Sequence, residues 1–293
     1  MPPHGPACPP PNPKPRRPEL AVPIGACDAH CHIYGPFACY PLPDDRSFTP
    51  SEAPEPALRR LHAHLGIERA VIVQSQGHGW DHRPLLDALV HGAGRYRGVA
   101  LVRPDTAEAD IAALDAAGVC GARFSSLAHL GGRPDPAAIH AVADRVRTHC
   151  WHIAIHVAGD GLAEHEALIR ALPGPVVIDH MGRPDLRAGL SSPAITALRR
   201  LLNSGRVWVK LSGADRISLT GAPFRDVVPL AAGLAAHAPE RVLWGSDWPH
   251  VNLHGPMPND GDLVDMLAEV VPSVAARNKL LVDNPVQFFG FEA

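Results

Sequence analysis

Apolar residues in this chain cluster in short runs that alternate with longer amphipathic or alanine-rich stretches. The apolar, β-branched runs span 24–33, 69–75, 96–102, 118–124, 152–157, 175–180, 206–212 and 241–247. Helix-like stretches follow them at 54–65, 81–92, 107–117, 135–150, 162–172, 191–203, 223–237 and 260–270. Near-continuous apolar strands that alternate with helices are typical of a parallel sheet covered by helices. Eight such units predict an α/β fold of the (β/α)8 TIM-barrel type.

Both ends of the chain extend beyond these eight units. The stretch 273–289 predicts an additional helix at the C-terminus. The first 23 residues include ten prolines, which lack the backbone N–H that helices and sheets require. We therefore expect residues 1–23 to form a disordered, flexible arm, and residues 24–293 to form a single catalytic domain.

Polar residues stand at the ends of the apolar runs rather than at their starts. Those at or just after an end include His30, His32, Gln74, Ser75, His78, Arg123, His156, His180 and Asp247. In (β/α)8 barrels the functional side chains project from the carboxyl ends of the strands. The pattern therefore predicts a functional site at that end of the barrel.

The segment CDAHCHIYG places Asp28, His30 and His32 at alternate positions. Alternate side chains of a strand point to the same side, so we expect all three to face one way and both imidazoles to enter the barrel mouth. His180 and Asp247 would meet them from other strands. Imidazole and carboxylate groups are ligands for Zn²⁺, and a carboxylate beside a water molecule can act as a general base.

Composition narrows the class of partner. Of the 293 residues, 46% are hydrophobic and 19% are charged, and the formal net charge is −3. No apolar run approaches the roughly 18 residues of a membrane-spanning helix, and the charge balance does not indicate a nucleic-acid or membrane-surface partner. Six cysteines without a secretory leader predict a reducing, cytoplasmic location. We expect a small-molecule substrate, with the oligomeric state left open.

Four motifs give the chain a family resemblance. DAHCH, IDHMGRP (178–184), RVLWGSDWPH (241–250) and LLVDNPVQFFGF (280–291) resemble the amidohydrolase superfamily. The branch in question contains amidohydrolase-related TIM-barrel hydrolases such as 2-pyrone-4,6-dicarboxylate lactonase and sulfomuconolactone hydrolase. The resemblance runs from about residue 24 to the end of the chain.

The resemblance implies roles for individual residues. His30, His32 and His180 would polarise a lactone carbonyl, and Asp247 would be the general base toward water. Arg123 in GARF and Arg216 in SGADRISLTG would hold carboxylates of the substrate.

Two positions depart from the pattern of the family's pyrone dicarboxylate lactonase. His129 stands where that lactonase has an arginine, and His156 where it has a tyrosine. A histidine binds a carboxylate less firmly than an arginine, which leaves the second carboxylate pocket in doubt.

His156 would also add a nitrogen ligand to the centre. A divalent ion, Zn²⁺ first, is therefore expected on His30, His32, His180 and Asp247, although that lactonase works without a metal. Ser75 and His78, in the loop after the second run, are further candidates for the pocket.

The predicted activity is hydrolysis of a small anionic lactone of the 2-pyrone-4,6-dicarboxylate or muconolactone type, a carboxylic ester hydrolysis. Three alternatives stay open. The first is a metal-dependent nonoxidative decarboxylase of an aromatic or unsaturated acid, the second is a sugar-lactone isomerase, and the third is a noncatalytic binding barrel.

Overall fold

The computed structural model describes residues 5–253 and 255–292 and shows one sheet of eight parallel strands. In pairing order they are β1 (Cys27–Cys31), β2 (Arg69–Val73), β3 (Tyr96–Ala100), β4 (Val119–Ser125), β5 (His152–His156), β6 (Val176–Ile178), β7 (Val207–Leu211) and β8 (Val242–Trp244). The chain after β8 returns to β1, where the N–H of Asp247 donates to the carbonyl of His30 at 2.8 Å. The predicted (β/α)8 barrel is confirmed, and every strand overlaps the apolar run that predicted it.

Helices cover the outside of this barrel. They are α1 (Glu55–Leu65), α2 (Arg83–Gly92), α3 (Glu108–Ala116), α4 (Pro136–Val146), α5 (Gly161–Glu164), α6 (Glu166–Ala171), α7 (Pro193–Leu202), α8 (Ala214–Ile217), α9 (Val228–His237), α10 (Asp260–Asp265), α11 (Leu267–Val270), α12 (Val274–Asn278) and α13 (Asn284–Phe289). The additional C-terminal helix is confirmed as α12 and α13, joined by the π-helical turn Lys279–Asp283. The stretch 223–237 becomes helical only at Val228, because Phe224 has a φ of 59°, outside the right-handed helical region.

Two apolar cores hold the barrel together. The larger core lies between the strands and the covering helices. The smaller core fills the inside of the barrel, where Ala29, Val71 and Trp208 pack with Phe289 and Phe291 from the C-terminal end of the chain. Strands that are buried on both faces read as continuous apolar runs, which is why the sequence reveals them.

The proline-rich arm differs from the expected disordered segment, because residues 5–23 contact the barrel. The backbone N–H of buried Cys8 donates to the carbonyl of Thr49 at 2.8 Å. Farther along the arm, Arg16 forms an ion pair with Asp262 of α10 at 2.7 Å. An extended chain with few backbone donors can lie along a surface through isolated contacts of this kind. The division of the chain at residue 24 stays a prediction.

The other expectations about the setting of the chain are tested only in part. All six cysteines are free thiols. Within residues 5–253 and 255–292 no helix combines the length and the apolar character that crossing a bilayer requires. The cytoplasmic location stays a prediction.

Candidate active site at the carboxyl end of the barrel

A bulge in β1 precedes His32 and lies beside His30. Asp28 pairs with Ala70 and Cys31 with Ile72, so three steps of β1 lie against two steps of β2. Such an extra residue breaks the two-residue alternation of side chains. As expected, His30 and His32 come together, with ring centroids 4.9 Å apart.

The expectation that Asp28 faces the same way as these histidines is wrong. Its carboxylate accepts from the backbone N–H of His30 at 3.0 Å and lies 3.2 Å from Nε2 of His62 on α1. The hydroxyl and the backbone N–H of Ser246 also donate to it. Asp28 therefore braces β1 against α1 and the loop after β8, and it is not part of the functional cluster.

Three imidazoles surround one carboxylate oxygen at the carboxyl end of the barrel. The Nε2 atom of His32 lies 3.3 Å from Oδ1 of Asp247, and those of His30 and His180 each lie 3.7 Å from it. We call His30, His32 and His180 the imidazole cluster. The structure thus brings together the four residues predicted to be catalytic.

The imidazole cluster is held by hydrogen bonds on its far side. Nδ1 of His32 donates to the carbonyl of Val73 at 2.7 Å, since a carbonyl can only accept. Nδ1 of His30 lies 3.0 Å from Nζ of Lys210, and Nδ1 of His180 lies 2.9 Å from Oγ of Ser212. All three rings therefore turn Nε2 toward Asp247.

Burial, together with nearby cations, keeps His30 and His180 of the imidazole cluster neutral. Burial, followed by the charge of Lys210, lowers the pKa of His30 to about 3. Burial also holds the pKa of His180 well below the ordinary value, against the opposing effect of Asp247. A protonated Lys210 can only donate, so it places the proton of neutral His30 on Nε2, the atom that faces Asp247.

Asp247 is ionised because its second oxygen binds an arginine. Oδ2 accepts from Nε and Nη2 of Arg216 at 2.8 and 2.7 Å. Burial alone would raise the pKa of Asp247, but Arg216 and then the nearby histidines outweigh it and hold that pKa well below its usual range. Oδ1 is left with its lone pairs directed at the imidazole cluster.

A second set of buried charges lies behind Asp247 and the imidazole cluster. Asp179 lies 3.2 Å from Nζ of Lys210 and 3.0 Å from Nε of Arg123. His250 lies between Asp260 at 3.0 Å and Asp215 at 3.7 Å. We call this set the charged layer, formed by Arg123, Asp179, Lys210, Asp215, Arg216, His250 and Asp260.

The sequence interpretation missed the pairing within the charged layer, and it assigned a role only to Arg123 and Arg216 among the residues of that layer. Asp179 and Lys210, at the ends of the sixth and seventh apolar runs, received none. A lysine inside VWVKL, an otherwise apolar strand buried on both faces, was the available signal, because a fully buried lysine needs a carboxylate partner. Nothing in the sequence signalled the pairing of His250 with Asp215 and Asp260.

Most of the predicted substrate-binding residues line one cleft above Asp247. Those in its wall are Ser75, Arg123, His129, His156 and Arg216. Arg123 and Arg216 already bind Asp179 and Asp247, which the resemblance did not imply. A role in holding a substrate carboxylate stays a prediction for both arginines.

His156 faces the cleft as a neutral acceptor. Nη2 of Arg123 donates to Nδ1 of His156 at 3.1 Å. Burial, together with the charge of Arg123, holds the pKa of His156 well below its ordinary value. Because Nδ1 accepts, the proton lies on Nε2. The expectation that His156 adds a metal ligand is not supported, since none of the possible ligand groups among the described residues includes it.

His78 lies outside this cleft, contrary to expectation. Its Nε2 accepts from the backbone N–H of Gly35 at 3.0 Å, and its ring stacks on Tyr34 with centroids 6.0 Å apart. Gln74 likewise braces its own loop, through the carbonyl of Gly79 and the N–H of Leu101. Both side chains are occupied in shaping the loop after β2.

The donors present fit one small divalent ion. Ligand atoms of His30, His32 and Asp247 all lie within 4.8 Å of one another. The separations of 3.3 and 3.7 Å from Oδ1 of Asp247 are close to the roughly 3.4 Å between donors on a tetrahedral Zn²⁺. The four predicted ligands do not form a single set, because His180 groups instead with His30 and Asp179.

An α/β barrel with this histidine and aspartate arrangement defines an amidohydrolase-type site. The amidohydrolase family model matches residues 27–291, so the chain belongs to that family. The predicted family membership is confirmed.

Three curated relatives are similar over nearly the whole chain. A 2-pyrone-4,6-dicarboxylate hydrolase of Comamonas testosteroni is 38% identical and covers 94% of this chain and 93% of its own. A 4-sulfomuconolactone hydrolase of Rhizobium radiobacter is 39% identical, covering 93% and 92%. A D-galactarolactone isomerase of Agrobacterium fabrum is 33% identical, covering 93% of each chain.

Proposed function

We propose that this protein opens the ring of a small anionic lactone by adding water to the ring carbonyl. One observation carries the proposal: the Nε2 atoms of the imidazole cluster lie within 3.7 Å of Oδ1 of Asp247, at the base of a cleft. Acyl transfer to water needs both a general base and donors for the carbonyl oxygen. Two of the relatives are hydrolases of lactones, which supports this reaction.

Water attack follows from the position of Oδ1. A water molecule between the ring carbonyl and Asp247 gives its proton to Oδ1 as its oxygen bonds to the carbonyl carbon. The C–O bond of the ring then breaks, and Asp247 returns the proton to the oxygen that leaves. The products are a carboxylic acid, which releases its proton to solvent and becomes a carboxylate, and an alcohol or enol on the same open chain.

The members of the imidazole cluster that carry a proton on Nε2 stabilise the developing negative charge; His32, whose Nδ1 donates to Val73, is not one of them. His30 presents Nε2–H, because Lys210 donates to its Nδ1. Donors fixed before the reaction lose no energy to reorganisation, and charge on the carbonyl oxygen is stabilised most strongly where water is excluded. All three histidines are at most 3% exposed, which meets that condition.

Arg216 orients the carboxylate of Asp247 and at the same time lowers the basicity of that carboxylate. The two hydrogen bonds to Oδ2 direct Oδ1 at the cleft, and the same positive charge makes Asp247 a weak base. The carbonyl must therefore be strongly polarised before water attacks. We propose that the surrounding imidazoles and buried cations supply that polarisation.

The substrate-binding assignments of Ser75, Arg123, His129, His156 and Arg216 are part of the proposal. Arg123 and Arg216 would use the N–H groups left over from their carboxylate partners. His129 and His156 would give one hydrogen bond each where an arginine would give two, which favours a substrate with fewer carboxylates than a pyrone dicarboxylate.

A divalent ion, Zn²⁺ first, would be held by His30, His32 and Asp247. When bound, it would act as a Lewis acid on the carbonyl oxygen. Binding would require the Nε2 lone pair of His30, so its proton would have to move to Nδ1, beside Asp179 at 3.3 Å.

Isomerisation of a sugar lactone is a second candidate, favoured by the relative that is an isomerase. The same imidazoles would polarise the carbonyl, but a hydroxyl of the substrate rather than water would attack it. Decarboxylation stays an alternative that the same experiment tests.

A lactone panel tests the proposal. Pyrone, muconolactone, sulfomuconolactone and aldonolactone substrates are incubated with enzyme of known metal content, before and after chelation, and ring opening, isomerisation and CO₂ release are followed. We expect ring opening of at least one anionic lactone, and loss of about 10⁴-fold in kcat with Asp247→Asn but not with the surface variant Asp105→Asn. CO₂ release without ring opening would contradict the proposal, and unchanged activity after chelation would remove the metal from it.

A further inference from the structure

One of the arginines in the cleft forms no ion pair with a carboxylate of the charged layer. Three arginines line it: Arg123 binds Asp179, Arg216 binds Asp247, and the third is Arg183. Within residues 5–253 and 255–292 the guanidinium of Arg183 makes no hydrogen bond or ion pair, and its Nε is buried without a partner. Of the nearby carboxylates, Asp247 binds Arg216, and Asp215 lies 3.7 Å from His250 and 3.8 Å from Arg216.

The backbone fixes Arg183 beside the imidazole cluster. Residues 180–183 all have positive φ, of 52°, 54°, 73° and 44°, and the N–H of Arg183 donates to the carbonyl of His180 at 2.8 Å. Its own carbonyl accepts from Gly159 at 2.9 Å. Three of these four residues, His180, Met181 and Arg183, are not glycine. Such unfavourable backbone conformations persist where they serve a site. One turn thus directs both His180 and Arg183 to the cleft.

A half-buried guanidinium without a carboxylate is an unfavourable arrangement. Burial, together with the charge of Arg216, lowers the pKa of Arg183. An anion entering the cleft would relieve this cost, and the planar fork of an arginine matches the two oxygens of a carboxylate.

We propose that Arg183 binds the carboxylate of the substrate. This assignment rests on the proposed lactone hydrolysis and names the group that selects an anionic lactone over a neutral one. The guanidinium of Arg183 has no hydrogen-bond partner in the described part of the chain, whereas Arg123 and Arg216 offer only the N–H groups left over from Asp179 and Asp247. His129 and Asn252 line the same cleft and bound the space around the anion.

Binding of a substrate-sized acid that cannot be hydrolysed tests this directly. Isothermal titration with isophthalate, and with neutral isophthalamide, compares wild type with Arg183→Met and Arg183→Lys. Arg187→Met is the matched control, since Arg187 is an exposed arginine of the same loop that contacts Asp185. We expect Arg183→Met to raise the Kd of isophthalate on the order of 30-fold and Arg183→Lys by less, with Arg187→Met unchanged.

Thermal stability separates a binding role from a structural one. Removal of an unpaired cation should raise the melting temperature of ligand-free Arg183→Met, and the stabilisation by isophthalate should be lost. For any anionic lactone that is turned over, KM should rise about 30-fold in Arg183→Met, and kcat should change by less.

Several outcomes would overturn the assignment. The first is that Arg183→Met binds isophthalate as tightly as wild type does. The second is that Arg183→Met has a lowered melting temperature and binds isophthalate and isophthalamide with equally weakened affinity. The third is that wild type does not bind isophthalate. Binding that depends on Arg183 without turnover of any lactone would instead contradict the proposed hydrolysis and leave the anion site standing.

Discussion

The imidazole cluster and the charged layer are two buried groups that meet at Asp247, and His30 of the first and His250 of the second have opposite charge states. Burial is equally complete for His30 and His250. The pKa of His30 falls to about 3, whereas that of His250 rises to about 10 because Asp215 and Asp260 outweigh its burial. The nearest neighbour decides the difference: a lysine lies 3.0 Å from His30 and a carboxylate 3.0 Å from His250.

This difference separates the part of the site that reacts from the part that supports it. In the charged layer, cations and carboxylates bind each other, and a buried charge is tolerated only when paired in this way. In the imidazole cluster, the Nδ1 atoms are bound while the Nε2 atoms face Oδ1 of Asp247. His30 Nε2 has no hydrogen-bond partner among the described residues.

Removal of Lys210 is the most severe test of the charged layer. In Lys210→Met, Asp179 would keep Arg123 and His30 but lose a buried cation at 3.2 Å. We expect the free energy of unfolding, measured by urea denaturation, to fall by about 3–5 kcal/mol, the cost of breaking a buried ion pair.

Lys279→Met is the control for Lys210→Met, because it breaks a lysine–glutamate pair with Glu240 at the surface. It should change stability by less than about 0.5 kcal/mol. Equal stability of the two variants would mean that the charged layer contributes no more than a surface pair.

A glycine behind His180 tests how strictly the imidazole cluster is placed. A Cβ on Gly213 would lie 2.9 Å from Cβ of His180, so Gly213→Ala should displace that ring. Misplacement of a catalytic group by about 1 Å costs on the order of 100-fold, and we expect kcat for the lactone to fall by that amount.

Gly221→Ala is the matched control for Gly213→Ala. The φ angles of the two glycines are 74° and 71°, but a Cβ on Gly221 would meet no atom within 4 Å. Both substitutions should lower stability by about 1 kcal/mol through backbone strain, and only Gly213→Ala should lose activity. Equal kcat in the two variants would show that the position of His180 is not critical.

The sequence predicted the barrel, and it predicted that His30, His32, His180 and Asp247 meet at its carboxyl end, because both follow from local patterns. Strands buried on two faces must be apolar, so His30, His32 and Asp247 at their ends stood out. The direction of Asp28 was mispredicted because a bulge in β1 shifts the alternation, and a bulge depends on how β1 pairs with β2.

The pairing of buried charges could not be predicted in the same way. Arg216 lies 31 residues from Asp247 in the chain, and Lys210 is 180 residues from His30. Spacing in the sequence carries no information on which cation reaches which carboxylate. His78 was assigned to the pocket because histidine often takes part in chemistry. Its hydrogen bond with the backbone of Gly35 is structural, and the sequence does not reveal that contact.

The pH dependence of stability is a final and smaller test of the difference between the two groups. The pKa of His250 is raised from about 6.5 to about 10, so its contribution to stability is complete below pH 6.5 and is lost as the pH rises toward 10. Between pH 7.5 and 8.5 the unfolded chain has released this proton while the folded protein retains it. The free energy of unfolding of wild type should therefore fall by about 1 kcal/mol between pH 7.5 and pH 8.5.

His250→Gln should remove this slope, because glutamine does not titrate. The difference between the unfolding free energies of wild type and His250→Gln, measured by urea denaturation at both pH values, isolates the proton of His250 from other titrating groups. His237→Gln is the control, since His237 is exposed and bonds Asn203. A slope that is the same in wild type and His250→Gln would mean that His250 is neutral, and the two groups would then not differ in charge state.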